Sequence, residues 1–209
     1  MRNFAIGCAA LLLFACTSRQ DTLLKKLAPA DALIAKVMAY RNFSDSLFGK
    51  DGNKNILPDS TTRVAMVQMR KEIRDALNSV PDTLAKPLHD FAMEFPEHPR
   101  SESYLYVSSV LAEKSGRIFE TAKWCEDYLK TYPKGVFYKD ALTSAASNFE
   151  RSGTFDKAIL YYDRIAKEFP NTSIGKDAGS VAAMLRKGLT TPEQQMEFIL
   201  SQRDSSGEQ

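Results

Sequence analysis

Apolar positions return in phase along the middle of the chain, with a period of 37 residues. Three segments carry the same stripe. The first is Leu84, Leu88, Phe91, Ala92 and Phe95. The second is Trp124, Cys125, Tyr128, Leu129 and Tyr132, and the third is Ala158, Tyr161, Tyr162, Ile165, Ala166 and Phe169. Steps of three and four residues place each set on one face of a helix. Each segment ends in an aromatic–proline pair: Phe95-Pro96, Tyr132-Pro133 and Phe169-Pro170. Proline disfavours helical backbone at the residue before it, so each pair predicts a helix end. Gly116 and Gly153 keep the same period, as do Lys139-Asp140-Ala141 and Lys176-Asp177-Ala178. A fixed period of this size marks an array of helical hairpins, because one pair cannot bury its apolar face alone and neighbours must stack.

The other helix of each period is marked by small residues. Ser108-Ser109, Ala145-Ala146 and Ala182-Ala183 stand at equivalent positions and predict close contact within a pair. Gly116 and Gly153 fall where the hairpin turns, a place for left-handed backbone. Counting back one period puts an earlier first helix near 62–77. The expected pairs are therefore 62–96, 101–133, 137–170 and 173–203, within a repeat domain over 61–204. Thr190-Thr191-Pro192-Glu193 opens the final helix. That helix is expected to cap the array with Met196, Ile199 and Leu200 facing inward. Residues 205–209 are expected to be a disordered tail. Pro87 lies inside the first stripe. A proline in a helix interior costs about 3 kcal/mol, so the helix is expected to begin close enough to hold Pro87 in its first turn.

Ahead of the array, Leu33, Ile34, Val37, Met38 and Tyr40 give a further helical pattern between Pro29 and about Leu47. Gly49-Lys50-Asp51-Gly52-Asn53-Lys54-Asn55 reads as a loop. Together they form a predicted N-terminal helix and loop over 29–60. No strand-like alternation of any length appears, so the fold class expected is all-α.

Composition and charge narrow the function. The chain has 209 residues, 44% hydrophobic and 26% charged, enough to bury a core. A formal charge of +2 gives no electrostatic reason to expect nucleic acid as a partner. The N-terminus is different in kind. Arg2 precedes an apolar run from Phe4 to Ala15, too short to span a bilayer and suited to a removable signal peptide. The run closes in Leu13-Phe14-Ala15-Cys16, which resembles the bacterial lipobox. Residues 1–15 are thus the expected signal peptide, Cys16 the expected lipidation site, and 16–28 a lipid-anchored tether, part of which, through Leu23, Leu24 and Leu27, is expected to pack on the domain. Of the three cysteines, Cys8 would leave with the signal peptide and Cys16 would carry lipid, so Cys125 has no bridging partner.

The repeat resembles the tetratricopeptide (TPR) family. Ala146, Ala158 and Pro170 match its small–small–proline pattern, and Ser109, Thr121 and Pro133 match it more weakly. The family's usual Trp and Gly of the first helix are missing, and 37 is longer than its standard period of about 34. The longer variant is similar to outer-membrane assembly lipoproteins of the BamD (YfiO) type, and to the cell-division coordinator type associated with the Tol-Pal system. The resemblance implies a TPR-like helical-hairpin solenoid with an extra N-terminal helix. It also implies a groove lined by outward positions of the first helices. By register these are Tyr106, Val110, Glu113, Thr143, Ser147, Glu150, Ser180 and Met184. A peptide or protein partner from the envelope would bind there.

No chemistry competes strongly with that expectation. Cys125 sits on the apolar stripe between Trp124 and Tyr128, the setting of a buried, inert thiol. His89 and His98 are the only histidines, and neither has a second ligand at metal spacing. No nucleophile elbow, phosphate-cradling glycine loop or complete calcium loop is present. No cofactor, metal or catalytic residue is therefore expected. Lys130, Lys134 and Lys139 cluster at one repeat junction, as a solvated rim or an anionic contact. The function expected is a lipid-anchored envelope scaffold in outer-membrane protein assembly. The alternative is a regulator, or an enzyme, of cell-wall synthesis or division. Thr17 after the lipidated cysteine points, by resemblance to the sorting rule of some Gram-negative bacteria, to the outer membrane facing the periplasm.

Overall fold

The aromatic–proline pairs fold into one local structure three times over. Phe95, Tyr132 and Phe169 sit at φ/ψ of −126/61, −125/66 and −125/47, just outside the helix. Each donates its N–H to the carbonyl four residues back, at 2.8–2.9 Å. Each then accepts from the amide three residues on, His98, Gly135 and Thr172 respectively. The following proline disfavours helical backbone at the aromatic, and the chain turns at once.

The computed structural model describes residues 19–49 and 57–206, with side chains through Ser201. All regular structure among the described residues is helical. Residues 19–27 form helix α1, followed by a 3-10 turn at Ala28–Ala30 and α2 at Asp31–Phe48. Next come α3 (Ser60–Ser79), a 3-10 turn at Asp82–Leu84, α4 (Ala85–Glu94) and α5 (Ser101–Lys114). The rest are α6 (Ile118–Thr131), α7 (Tyr138–Arg151), α8 (Phe155–Glu168), α9 (Ser173–Arg186) and α10 (Pro192–Ser206). The predicted signal peptide, Cys16, residues 50–55 of the predicted loop and the last three residues lie outside the described residues.

The chain divides into two units, with the boundary between Ser115 and Gly116. In the first unit α4 packs against α5, and the turn at Asp82–Leu84 lies against both. Its core includes Leu27, Leu33, Leu88, Phe91, Tyr104, Leu105 and Leu111. In the second unit α6 packs on α7, α7 on α8, and α8 on α9. Its core is Cys125, Tyr128, Phe137, Leu142, Ala145, Ala146, Phe149, Ala158 and Ile165. The small doublets are buried as expected at Ser108-Ser109 and Ala145-Ala146, whereas Ala182 is buried and Ala183 is exposed.

Glycine closes the hairpin turns. Gly116 and Gly153 have φ of +73° and +75°, and Gly188, which has no place in the 37-residue series, has +77°. At Gly153 the capping bonds are Gly153 N–H to Glu150 O and Thr154 N–H to Phe149 O. The same pair recurs at Gly188 and Leu189, the pattern that satisfies the last carbonyls of a helix. A Cβ at Gly153 would meet no atom within 4 Å, so only backbone strain opposes substitution. Gly153→Ala is expected to destabilise by about 1 kcal/mol and Gly153→Asn by less, read by chemical denaturation.

Pro87 is the third residue of α4, in the first turn as expected, where a missing N–H leaves no intrahelical bond broken. The tether is helical over 19–27, and Leu27, 1% exposed, docks it in the first unit, in line with the expected packing. Two expectations need correction. The first predicted pair does not close as 137–170 does, where α7 packs on α8. Only Ala76 of α3 is buried, while Val64 and Val67 are 69% and 65% exposed, and α4 takes α5 as its close neighbour. The final helix forms with a reciprocal cap between Thr191 and Gln194, yet Met196, Ile199 and Leu200 are 57%, 40% and 50% exposed. The inward side of α10 is Gln195 and Phe198. Gln195 Nε2 donates to Glu150 Oε1 and to Leu189 O, and Lys187 lies over the Phe198 ring. Those contacts set the helix rotation and turn the three aliphatic residues away. The helix also runs through Ser205 and Ser206, which shortens the predicted tail.

Candidate functional site

The predicted groove positions fall on three helices. Tyr106, Val110 and Glu113 lie half-buried on α5 of the first unit. Thr143, Ser147 and Glu150 lie half-buried on α7 of the second unit, and Ser180 is exposed on α9. Met184 departs from its expected place: it is 6% exposed, a core residue and not a wall of an open groove. Its position next to the α9 C-terminus, where the chain folds back at Gly188, accounts for the burial.

What these side chains do is largely local. Thr143 Oγ1 donates to Lys139 O, and Ser180 Oγ to Lys176 O, bonds that turn hydroxyls onto their own helix. Glu150 has a different task. It accepts from Tyr162 Oη at 2.6 Å and from Gln195 Nε2 at 3.2 Å, so it ties α7 to α8 and α10. Burial, and then the bond to Glu150, push the Tyr162 hydroxyl above its ordinary range.

The best-defined polar cluster was not legible as a site in the sequence. Glu126 on α6 is 6% exposed, and its carboxylate receives Lys157 Nζ at 2.8 and 2.9 Å and Tyr161 Oη at 3.0 Å, both from α8. Lys123 Nζ stands 3.6 Å away. Lys157 also lies 4.7 Å from the centroid of the Phe149 ring, which stacks on Tyr161 at 5.7 Å and 10°. Burial pushes Glu126 up, but the Lys157 and Tyr161 bonds and the two ammonium charges outweigh it and hold the carboxyl below its ordinary value. Burial, then the Glu126 bond, raise Tyr161. The cluster joins two Pro-terminated helices one period apart. Its carboxylate is fully occupied by these partners, so it fastens the fold and offers nothing to a substrate.

A second polar group links α7 to α8. Tyr138 Oη contacts both Glu168 oxygens at 2.8 and 3.0 Å, and Arg164 packs over the Tyr138 ring at 5.3 Å. Burial, followed by the Glu168 bond, pushes Tyr138 up to about 12. In the first unit, Tyr104 Oη donates to Asp31 and Arg100 pairs with the same carboxylate at 3.0 Å, fixing the start of α2 on α5. An open pocket of about 480 Å³ lies beside the first aromatic–proline turn, lined by Gln20, Glu94, Phe95, Pro96, Glu97, His98 and Pro99. His98 Nδ1 accepts the Arg100 amide, and burial and the Arg100 charge depress the imidazole's proton affinity.

Other candidates resolve simply. Cys125 is 1% exposed. Lys139 lies 5.6 Å from the Phe169 ring centroid and serves packing, while Lys130 and Lys134 are exposed. No group of three or more metal-ligating side chains occurs among the described residues. No helix among them is long and apolar enough to cross a membrane. No protein-family model, curated protein or solved structure matches the chain.

Proposed function

We propose that the chain is a lipid-anchored scaffold of the bacterial envelope, working in outer-membrane protein assembly. In this reading it is a TPR-like helical-hairpin solenoid with an extra N-terminal helix, resembling lipoproteins of the BamD (YfiO) type. One observation carries the repeat reading: the aromatic–proline turn recurs at 37-residue spacing with similar backbone angles and the same backbone hydrogen bonds. The Leu13-Phe14-Ala15-Cys16 sequence supports the anchor. Acyl chains on Cys16 contribute about 0.8 kcal/mol per buried methylene, so two or more hold the protein on the membrane. The contribution to assembly is positional: lipid holds the protein at the membrane, where the first unit offers its α5 face and the second its α7 and α9 faces to partner segments.

Two results are expected. Cys16→Ser removes the protein from the membrane fraction or leaves it with an uncleaved signal peptide, read by fractionation and intact mass. Crosslinking in envelope membranes recovers barrel-assembly proteins, and Tyr106→Ala with Glu113→Ala lowers that recovery. Recovery of cell-wall synthases in their place would support the regulator, and unchanged capture by the double variant would remove α5 from the binding face.

A further inference from the structure

Helix α3 presents a face unlike that of a solvated helix. Val64, Val67, Lys71 and Arg74 follow one another at three- and four-residue steps, and all four are exposed. Leu57, just ahead of the helix, is 96% exposed, and Arg63 is exposed beside Val64. Aliphatic side chains thus project outward in the company of Arg63, Lys71 and Arg74. The acidic residues of the same stretch are partly spoken for. Asp59 caps the helix through the Thr62 amide at 2.7 Å, and Glu72 turns to Lys36 of α2 and Gln68. Asp75 is the exposed carboxylate that remains among them. At the edge of this face Arg70, also exposed, turns to α2, where its Nε donates to Tyr40 Oη at 2.7 Å and its guanidinium lies over the ring. Bonds to Lys36 and Tyr40 of α2 tie the helix to its neighbour and leave Val64, Val67, Lys71 and Arg74 outward.

We infer that this face of α3 docks on the surface of an anionic lipid bilayer. The inference rests on the proposed anchor at Cys16. Charge complementarity selects the occupant: phosphate-bearing headgroups attract the three bases, and the boundary between headgroups and acyl chains accepts Leu57, Val64 and Val67. Chain length keeps this unit near the bilayer. Cys16 stands three residues before Arg19 of α1, a span of at most about 10 Å when extended. Helix α1 is itself held to this unit, by the buried Leu27 and by the Arg19–Glu94 ion pair at 2.9 Å. An acylated Cys16 would thus keep this unit against the bilayer at high effective concentration, where a face too small to bind alone still engages. The lipid would then fix how the protein stands on the membrane as well as keep it there.

The test uses the full chain purified with its native N-terminus and placed in phosphatidylethanolamine vesicles with and without phosphatidylglycerol. A polarity-sensitive fluorophore on Val67→Cys reports the face, and Cys125 is too buried to compete for label. Emission is expected to shift to shorter wavelength and to be quenched by brominated acyl chains when phosphatidylglycerol is present. High salt reverses both changes. Arg63→Gln, Lys71→Gln and Arg74→Gln together should weaken the contact about 100-fold, at about a factor of five per base. Intact mass read on the same sample separates the two ideas. Acyl groups with a probe that stays in water overturn the inference alone, and so does a probe shielded without vesicles by a second copy of the chain. A mass without acyl groups overturns the anchor and the inference with it.

Discussion

Gly175→Ala should destabilise the second unit by about 2–3 kcal/mol, at the upper end of what overpacking costs. The residue lies in the first turn of α9, where its amide donates to the Thr172 cap. A Cβ there would stand 2.0 Å from the Phe169 carbonyl oxygen and 2.7 Å from its carbon. Both are backbone atoms of the turn that ends α8, so no side-chain rotation relieves the clash. Helix α9 must move off α8, or the turn must open. Calorimetry should show a midpoint lower by roughly 4–10 °C, with loss of protection concentrated in α8 and α9. An unchanged midpoint would mean that the two helices approach less closely than this geometry requires. The same register position in the first unit is Ser101, whose hydroxyl donates to Phe95 O at 2.6 Å. One position thus serves one purpose twice, bringing a helix start onto the preceding aromatic carbonyl.

Lys157→Met should cost about 2–4 kcal/mol, because removing one partner leaves a buried carboxylate short of compensation. Methionine fills the space of the lysine stem over Phe149, so the loss reports charge more than packing. The pH dependence identifies the cause. In the native chain the Glu126 carboxyl is held below its ordinary value of 4.5. Its contribution is therefore complete above that value and fades as the pH falls through the depressed folded value. In the variant, burial acts with less opposition and the folded value rises. The penalty is then largest at neutral pH, and the gap to the native chain narrows on acidification as Glu126 takes up a proton. Denaturant unfolding at several pH values checks this. A gap independent of pH would show that the lysine stem, and not its charge, matters.

The sequence carried the recurring parts of the fold because recurrence multiplies weak signals. A lone aromatic–proline pair says little, but Phe95, Tyr132 and Phe169 at equal spacing predicted three helix ends, and the three turns share one backbone conformation and the same pair of backbone bonds. Pro87 and Gly153 were legible for a related reason, since each has one inexpensive backbone solution. The ends of the chain were not legible. Periodicity says where a helix has an apolar side, but it cannot say whether a neighbour exists to receive it. At α10 the polar residues Gln195 and Glu150 decided the rotation over Met196, Ile199 and Leu200, and at α3 the aliphatic residues look outward.

The site was less readable than the fold. Register placed Glu150 on a first-helix face, but its partners Tyr162 and Gln195 lie 12 and 45 residues away and make it a clamp. Glu126 and Lys157 were invisible as a pair, being 31 residues apart with no pattern linking them. A carboxylate beside Cys125 on a buried stripe was the available clue, because an acid in that position needs a cation. Gly175 offered a similar hint, as a glycine near a helix start often marks close backbone approach.

Native-state hydrogen exchange tests the stacking of successive periods most directly. Helices α6, α7, α8 and α9 are packed in sequence and pinned across α6 and α8 by Glu126, so their slowest amides should share one opening free energy and lose it together in Lys157→Met. Amides of α10 should exchange well before them. Slow amides of α6 and α8 that open with unrelated free energies, or an α10 as protected as α8, would contradict the account.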